Sequence, residues 1–272
     1  MQQVPIPHNM NPTVSVLMCV YNEDDFVDKS IVGILSQSFR DFEFIIVDDA
    51  STDTTQDILA KYARQDARIR VVRNERNIGL TRSLNRGIVE CRGAYIARLD
   101  ADDISVTDRL KRQYDFMESH RDVALCGSFA YYISEDGQEV GKKKLPANYK
   151  NIKEKLLFNN QLVHSSFFIR KSILDTGGFY NEHFKTSQDY ELVLRLASKY
   201  RVENIPEYLV GWRVGKNSLS WVNKRQEWDA LRARWWGVTK YGYPKFKGLF
   251  HICLRLGWLL LPQHFKMKRY EG

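Results

Sequence analysis

Residues 93–103, GAYIARLDADD, pass without a break from an apolar segment into three aspartates. Ala94–Leu99 has the composition of a buried strand, so Asp100, Asp102 and Asp103 stand at its carboxyl end. Two earlier strand-like runs end in the same way. Thr13–Val20 (TVSVLMCV) leads into Tyr21-Asn22-Glu23, and Phe42–Val47 (FEFIIV) leads into Asp48-Asp49; a fourth run, Ile69–Val72, completes the set. Amphipathic stretches at about 25–36, 54–64 and 80–91 separate the strands, and Ser51 or Asp53 is placed to cap the second. Strands alternating with helices of this length imply right-handed crossovers and a parallel sheet. In such sheets ligands bind outside the carboxyl ends of the strands.

Capping and loop solvation would account for any one of these polar clusters. Three on one rim repel one another and cost stability unless a cation or a donor-rich ligand relieves them. Asp100 and Asp102, two apart in an extended segment, can point the same way and share a hard cation. Carboxylates without nearby His or Cys suit Mg²⁺ or Mn²⁺ rather than zinc. Neither GxxxxGK[ST] nor GxGxxG occurs, which excludes the P-loop and dinucleotide-binding readings and leaves a diphosphate held through metal.

Working outward, a helix follows Thr107, then a strand at Val123–Gly127 and a hairpin through Asp136-Gly137. A strand near Ser166–Arg170 and a helix over Gln188–Lys199 come after it. The chain has 272 residues, 43% hydrophobic and 27% charged, which excludes disorder and fibrous repeats. Four scattered cysteines without CxxC pairs argue against a disulfide scaffold or a cysteine-built zinc site and fit a reducing compartment. MQQVPIPHNMNP, at the N-terminus, has no apolar core and is not a secretory signal.

The net charge of +8 is unevenly spread: residues 212–272 hold 13 Lys+Arg against 3 Asp+Glu, leaving 28 against 30 before them. All six tryptophans also fall in the last stretch. Residues 246–261, FKGLFHICLRLGWLLL, are interrupted by Lys247, His251 and Arg255 and fall short of the roughly twenty apolar residues of a bilayer span. With the KMKR cluster at 266–269, they fit a helix lying among lipid headgroups. The alternative is a helix packed on the domain, with tryptophan as core.

Taken in order, VSVLMCVYNE (14–23), ILSQSF (34–39), FIIVDDASTDTT (44–55), NIGLTRSLNRGI (77–88), GAYIARLDADD (93–103), GGF (177–179) and QDYELVLRL (188–196) resemble the family 2 glycosyltransferases. These are inverting enzymes with the glycosyltransferase A fold, and the resemblance runs from about Val14 to about Trp221. It implies an α/β fold with a Rossmann-like, mostly parallel central sheet flanked by helices, and a C-terminal helical tail. The catalytic domain would cover 1–211, with a nucleotide-binding half at about 13–105 and an acceptor half at about 106–211; 212–272 would be a basic extension.

The resemblance also implies roles. Val20, Tyr21, Asn22 and Glu23 line the nucleotide pocket with Asn77, Asp100 and Ala101, and Asp49 pairs with the base, typically uracil. Asp102 is the principal metal ligand, with Asp100. Asp189 is the general base, although its place before Leu192, Val193 and Leu196 also suits a helix N-cap; Gln188 stands where the commoner Glu would be. His164, in LVHSSFFIR, resembles a histidine many bacterial members carry, or is a packed core residue. Gly215 occupies the histidine position of the relatives' YRxH, so no metal-binding histidine is carried over, and the lack of QxxRW argues against a processive synthase.

The implied activity is Mg²⁺- or Mn²⁺-dependent transfer of a hexosyl or N-acetylhexosaminyl group. The donor would be a nucleotide-diphosphate sugar, UDP-linked by expectation. The acceptor would be a glycan or a lipid-linked one, in cell-surface polysaccharide biosynthesis, with the enzyme cytoplasmic and peripheral on the inner face of the plasma membrane. A polyprenyl-phosphate sugar transferase is the near alternative. A non-catalytic polyanion-binding protein is the distant one; it leaves the aspartate cluster without a purpose, and nucleic acid is not an expected partner.

Overall fold

The computed structural model describes residues 11–215 and 224–260. The strands are β1 (Val14–Val20), β2 (Phe42–Asp48), β3 (Ile69–Arg73), β4 (Tyr95–Arg98), β5 (Ile104–Ser105), β6 (Val123–Ile133), β7 (Glu139–Lys143), β8 (Phe168–Arg170) and β9 (Arg201–Arg213). The helices are α1 (Val27–Leu35), α2 (Thr55–Gln65), α3 (Leu80–Glu90), α4 (Arg109–Ser119), α5 (Tyr149–Lys155), α6 (Lys171–Gly177), α7 (Gln188–Lys199), α8 (Lys224–Thr239) and α9 (Lys245–Leu260).

All described strands join one sheet in the order β3-β2-β1-β4-β8-β6-β9-β5, with β7 pairing with β6. Pairing is parallel from β3 through β2 and β1 to β4. It turns antiparallel at β8 and returns to parallel between β6 and β9. β1 and β2 are buried along their whole length, as strands covered on both faces must be. One apolar layer lies under α1, α2 and α4 and includes Val16, Ile31, Phe44 and Leu110. The other includes Leu17, Ile45, Leu84 and Leu192 and lies under α3, α5 and α7. Gly87 lets α3 press on the sheet: a Cβ there would come within 2.3 Å of Leu17 Cδ1 and 2.9 Å of Val47 Cγ2.

The first four strands and three helices fall where the apolar periodicity put them, and Gly137, at φ 86°, makes the turn of the β6–β7 hairpin. Neither Ser51 nor Asp53 is the N-cap of α2, which is Thr54 without a side-chain cap bond; Asp53, one residue earlier, accepts the Thr55 N–H at 3.1 Å. β9 went unread in the sequence. It continues through Trp212 and Arg213, so the last strand runs past the expected boundary at 211.

α8 lies against the body of the fold. Ala233 and Val238 enter the layer under α7. The buried Arg234 donates to the carbonyls of Leu157 (3.0 Å) and Phe158 (2.7 Å). Trp236 packs edge-on against Phe184. Trp228, Trp235, Phe246 and Phe250 instead face outward, Phe246 at 93% exposure. The tryptophan-rich stretch thus divides into a packed side and an exposed one. The KMKR cluster and the first ten residues lie outside the described residues, as do 216–223. Among the described residues no helix is long and apolar enough to cross a membrane.

Gly87→Val will drive two methyls into Leu17 and Val47, and overpacking of this kind costs about 1–3 kcal/mol. Urea unfolding should show the loss as a lower midpoint at unchanged slope.

Candidate active site

Because β2, β1 and β4 are neighbours and parallel, their carboxyl ends share one rim. Val20 ends β1, buried; Tyr21 is exposed beyond it. Asn22 turns the chain at φ 53° and closes onto the loop after β2, where its Oδ1 accepts the Thr52 N–H at 2.8 Å. Its own N–H donates to Ser51 Oγ at 3.1 Å, and the N–H of Glu23 donates to Thr55 Oγ1 at 3.0 Å. The turn after β4 is pinned from beneath: Ser30 Oγ lies 2.6 Å from the carbonyl of the buried Ala101 and 2.7 Å from that of Asp103.

The charges of the rim are organised by Arg98, which is 1% exposed at the end of β4. It pairs with Asp100 Oδ1 and lies 3.2 Å from Ser165 Oγ. Ser165 in turn donates to Asp100 Oδ2 at 2.6 Å and contacts Asp103 Oδ2. Burial alone would raise Asp100, but the adjoining Arg98 guanidinium and the hydrogen bonds bring it down to about 2. Asp103, fully buried and next to Asp102 and Asp100, is pushed well above the usual carboxylate range. A protonated Asp103 can donate to Ser165 Oγ while its Oδ1 accepts the Arg213 N–H at 2.8 Å.

Asp102 differs from both. Its side chain meets only its own backbone N–H, and burial together with Asp100 raises it to about 6. Burial, Asp102 and Asp100 raise Glu23 to about 7. A cation beside Asp102 would relieve that repulsion, so the donor chemistry fits a hard divalent ion. The fit is narrower than a shared pair, since Asp100 spends one oxygen on Arg98 and the other on Ser165. Among the described residues no group of three ligating side chains forms. Asp102 can supply one carboxylate and leave the remaining positions to phosphate oxygens and water.

Asp49 is buried and heavily used. It accepts from Asn74 Nδ2 (2.6 Å), the Ile78 N–H (2.9 Å) and the Gly79 N–H (2.8 Å), so it closes the loop before α3. Any base contact would add to these bonds. Asn77, in the same loop, is exposed.

Asp189 lies in the first turn of α7, after Ser187 at φ 53°. Burial raises its carboxyl above the usual value, against the Tyr190 N–H and Asn160 Nδ2, which donates at 2.8 Å. The charges of Arg98 and Asp100 act on Asp189 too, which ties it electrostatically to the β4 end. The loop ahead of it is held from α8: Asp229 Oδ2 accepts the Thr186 N–H (3.1 Å) and hydroxyl (2.7 Å), and Ser187 Oγ donates to the Gln226 carbonyl at 3.1 Å. Gln188 is buried beside it.

His164 Nε2 meets the Tyr180 hydroxyl at 2.8 Å, and its ring packs edge-on against Phe167. Burial and the Arg98 charge hold it well below its usual pKa, so it stays neutral and is a poor proton acceptor.

The structure thus brings Glu23, Asp100 and Asp102 together and puts Asp189 and His164 within electrostatic reach. Sequence reading passed over Arg98, Asn160, Ser165 and Lys143. Arg98 did leave a signal, as a charge inside an otherwise apolar strand.

A profile described as glycosyl transferase family 2 matches residues 15–178. The putative teichuronic acid biosynthesis glycosyltransferase of Bacillus subtilis is 31% identical over 231 residues, covering 84% of this chain and 87% of its own length. Among solved structures, S. aureus TarS 1-349 in complex with UDP-GlcNAc superposes with a TM-score of 0.70 at 17% identity, over 90% of this chain and 71% of that one. A mannosyltransferase from Pyrobaculum calidifontis in complex with GDP-Man and Mn²⁺ gives a TM-score of 0.69 at 18% identity, over 90% and 69%. These two likenesses establish the glycosyltransferase A fold.

Arg98→Met will leave Asp100, whose side chain is 32% exposed, without its counter-charge, a loss that solvent screening keeps below the roughly 3–5 kcal/mol of a fully buried pair. Chemical denaturation measures it. A change under about 1 kcal/mol would show that the pair does not organise the rim.

Proposed function

The chain belongs to glycosyl transferase family 2, and from that premise we propose that it transfers a sugar, with inversion, from a nucleotide diphosphate to a glycan or lipid-linked acceptor. Cell-surface polysaccharide assembly is the setting that the Bacillus subtilis relative's description supports. The neighbours bind UDP-GlcNAc and GDP-Man, which supports a nucleotide-diphosphate sugar as the donor class; a UDP-sugar is the choice proposed. The observation that carries the reading is the division of labour between two carboxylates. Asp102 is bonded by no other described residue, only by its own backbone N–H, and sits in a cluster that a cation would relieve. Asp189 is oriented by Asn160 and raised toward a useful basicity.

In this reading the acceptor oxygen attacks the anomeric carbon while Asp189 takes its proton, and the bond to the diphosphate breaks with its electron pair leaving on phosphate. A single displacement inverts the centre and needs no protein nucleophile. Asp102 would hold Mg²⁺ or Mn²⁺, whose charge, when bound, offsets the charge developing on the departing diphosphate. Mn²⁺ in the Pyrobaculum neighbour is consistent with that choice of ion. Asp100, fixed by Arg98 and Ser165, sets the direction of the turn that presents Asp102.

Asp189→Asn keeps the size of the side chain but cannot take a proton. Transfer should fall by about two to four orders of magnitude while donor binding survives. In the wild type the rate should be lost as pH falls through the Asp189 pKa, because protonation removes the base. That limb will lie above the ordinary aspartate value of about 3.9. The companion arm adds a chelator in excess. A mutant above a tenth of the wild-type rate removes Asp189 as base, and full activity in chelator removes the metal.

We also propose that the exposed side of α8 and α9 rests on anionic lipid. Trp228, Trp235, Phe246, Phe250 and Leu254 face outward in a stretch that carries the chain's excess of positive charge. Phe246→Glu with Phe250→Glu, at exposed positions, should leave the unfolding midpoint in place and abolish co-sedimentation with phosphatidylglycerol vesicles at low salt. Undiminished co-sedimentation would place the contact elsewhere.

A further inference from the structure

The geometry points to an acceptor subsite at Lys143, Trp212 and Tyr132 that takes a sugar bearing an oxyanion, a carboxylate or a phosphate. Residues opposite one another in adjacent strands share a sheet face. Lys143 lies opposite Ala130 and Ala130 opposite Val210; the next row along the same face is Gly141, Tyr132 and Trp212. Glycine adds no side chain to that row. The Tyr132 and Trp212 rings stand 5.6 Å apart at 40°, and Lys143 Nζ sits 4.2 Å from the centre of the Trp212 ring. The adjacent Arg213 turns to the other face, where its Nε donates to the Asp102 carbonyl at 2.7 Å. The end of β9 therefore serves two purposes, bracing the aspartate turn on one side and carrying an aromatic wall on the other.

Lys143 has no hydrogen bond or ion pair among the described residues. Its neighbour Lys142 has both a carboxylate, Glu139 at 3.5 Å, and the rings of Tyr131 and Tyr208. Burial pulls the Lys143 ammonium down to about 8, opposed by the Asp189 carboxylate. A half-buried cation whose partner among the described residues is an aromatic face rather than an anion is under-satisfied, and an incoming oxyanion would add the charge-assisted bond it lacks. Asp189 marks the side from which the acceptor approaches, so the charge that Lys143 would satisfy belongs to the acceptor rather than to the diphosphate. The aromatic wall supplies apolar surface for the C–H face of a sugar ring.

The assignment rests on Asp189 being the base, and the test is an equilibrium one so that the two can fail separately. Affinities of the full chain, saturated with UDP to fill the donor side, are measured by NMR for methyl glucoside, methyl glucuronide and glucose 6-phosphate. At least one anionic sugar should bind about tenfold or more tightly than the neutral one. A tighter glucuronide identifies a carboxylate, a tighter glucose 6-phosphate a phosphate. Lys143→Met should abolish the preference and Lys143→Arg should restore it, which a structural role would not do. Equal affinities in the wild type, no binding of either anion, or a preference that survives Lys143→Met would each overturn the assignment. The wild-type comparison decides even if a variant fails to fold. Retained transfer in Asp189→Asn alongside an intact preference would sink the base and leave the subsite standing.

Discussion

A guanidinium withdrawn from solvent at the end of β4 sets the chemistry of the whole rim. Arg98 is 1% exposed, and a cation so placed is costly unless it is paired or fully hydrogen-bonded. Asp100 is that anion, drawn down to about 2. Its fixed negative charge is felt by every neighbouring carboxyl group. Burial first, with the charges of Asp102 and Asp100 adding to it, drives Asp103 toward its neutral form and raises Glu23 to about 7; burial and Asp100 raise Asp102 to about 6. Burial and one fixed ion pair together yield an ionised positioning group, a neutral structural group and a carboxylate that gains from meeting a cation. Arg109, also buried, donates through its guanidinium to the Arg98 carbonyl, so the same point anchors α4.

The parallel half of the fold was legible because its strands are apolar on both faces and its helices on one. Periodicity alone separates those two patterns. β9 was not legible, for reasons visible in its sequence. RVENIPEYLVGWR mixes buried Glu203 and Asn204 with a proline, and the register between β6 and β9 shifts near Pro206. Its identity as a strand comes from its partner, not from its own alternation. The site divides similarly. Aspartates at strand ends announce themselves, whereas Lys143 and Asn160 gain meaning only when a hairpin and a loop bring them toward Asp189.

The tail shows how composition can leave the packing open. Its charge excess and tryptophans suggested a surface element. α8 is also structural, with Arg234 capping two backbone carbonyls and Asp229 holding the loop that leads to Asp189. With core contacts on one side and exposed aromatic residues on the other, α8 is tied through Asp229 to the loop that leads to Asp189. Any displacement of α8 would be felt at Thr186 and Ser187 before it reached the rest of the sheet.

Backbone strain follows the same geography. The non-glycine residues at positive φ among those described are Asn22, Ala50 and Ser187. Each belongs to a loop at the rim: after β1, after β2 and before α7. Asparagine tolerates this region, but alanine and serine gain little from it, at a cost on the order of 1–3 kcal/mol per residue. Hydrogen bonds hold two of these turns in place, from the Asn22 N–H to Ser51 and from the Thr52 N–H to Asn22, and from Ser187 to the Gln226 carbonyl. The effect is directional. The turn at Asn22 brings Glu23 back against the loop after β2, and the turn at Ser187 starts α7 so that Asp189 falls in its first turn. Relaxing either would swing a carboxylate out of the buried setting that raises its pKa, so strain and electrostatics at this rim are one design constraint.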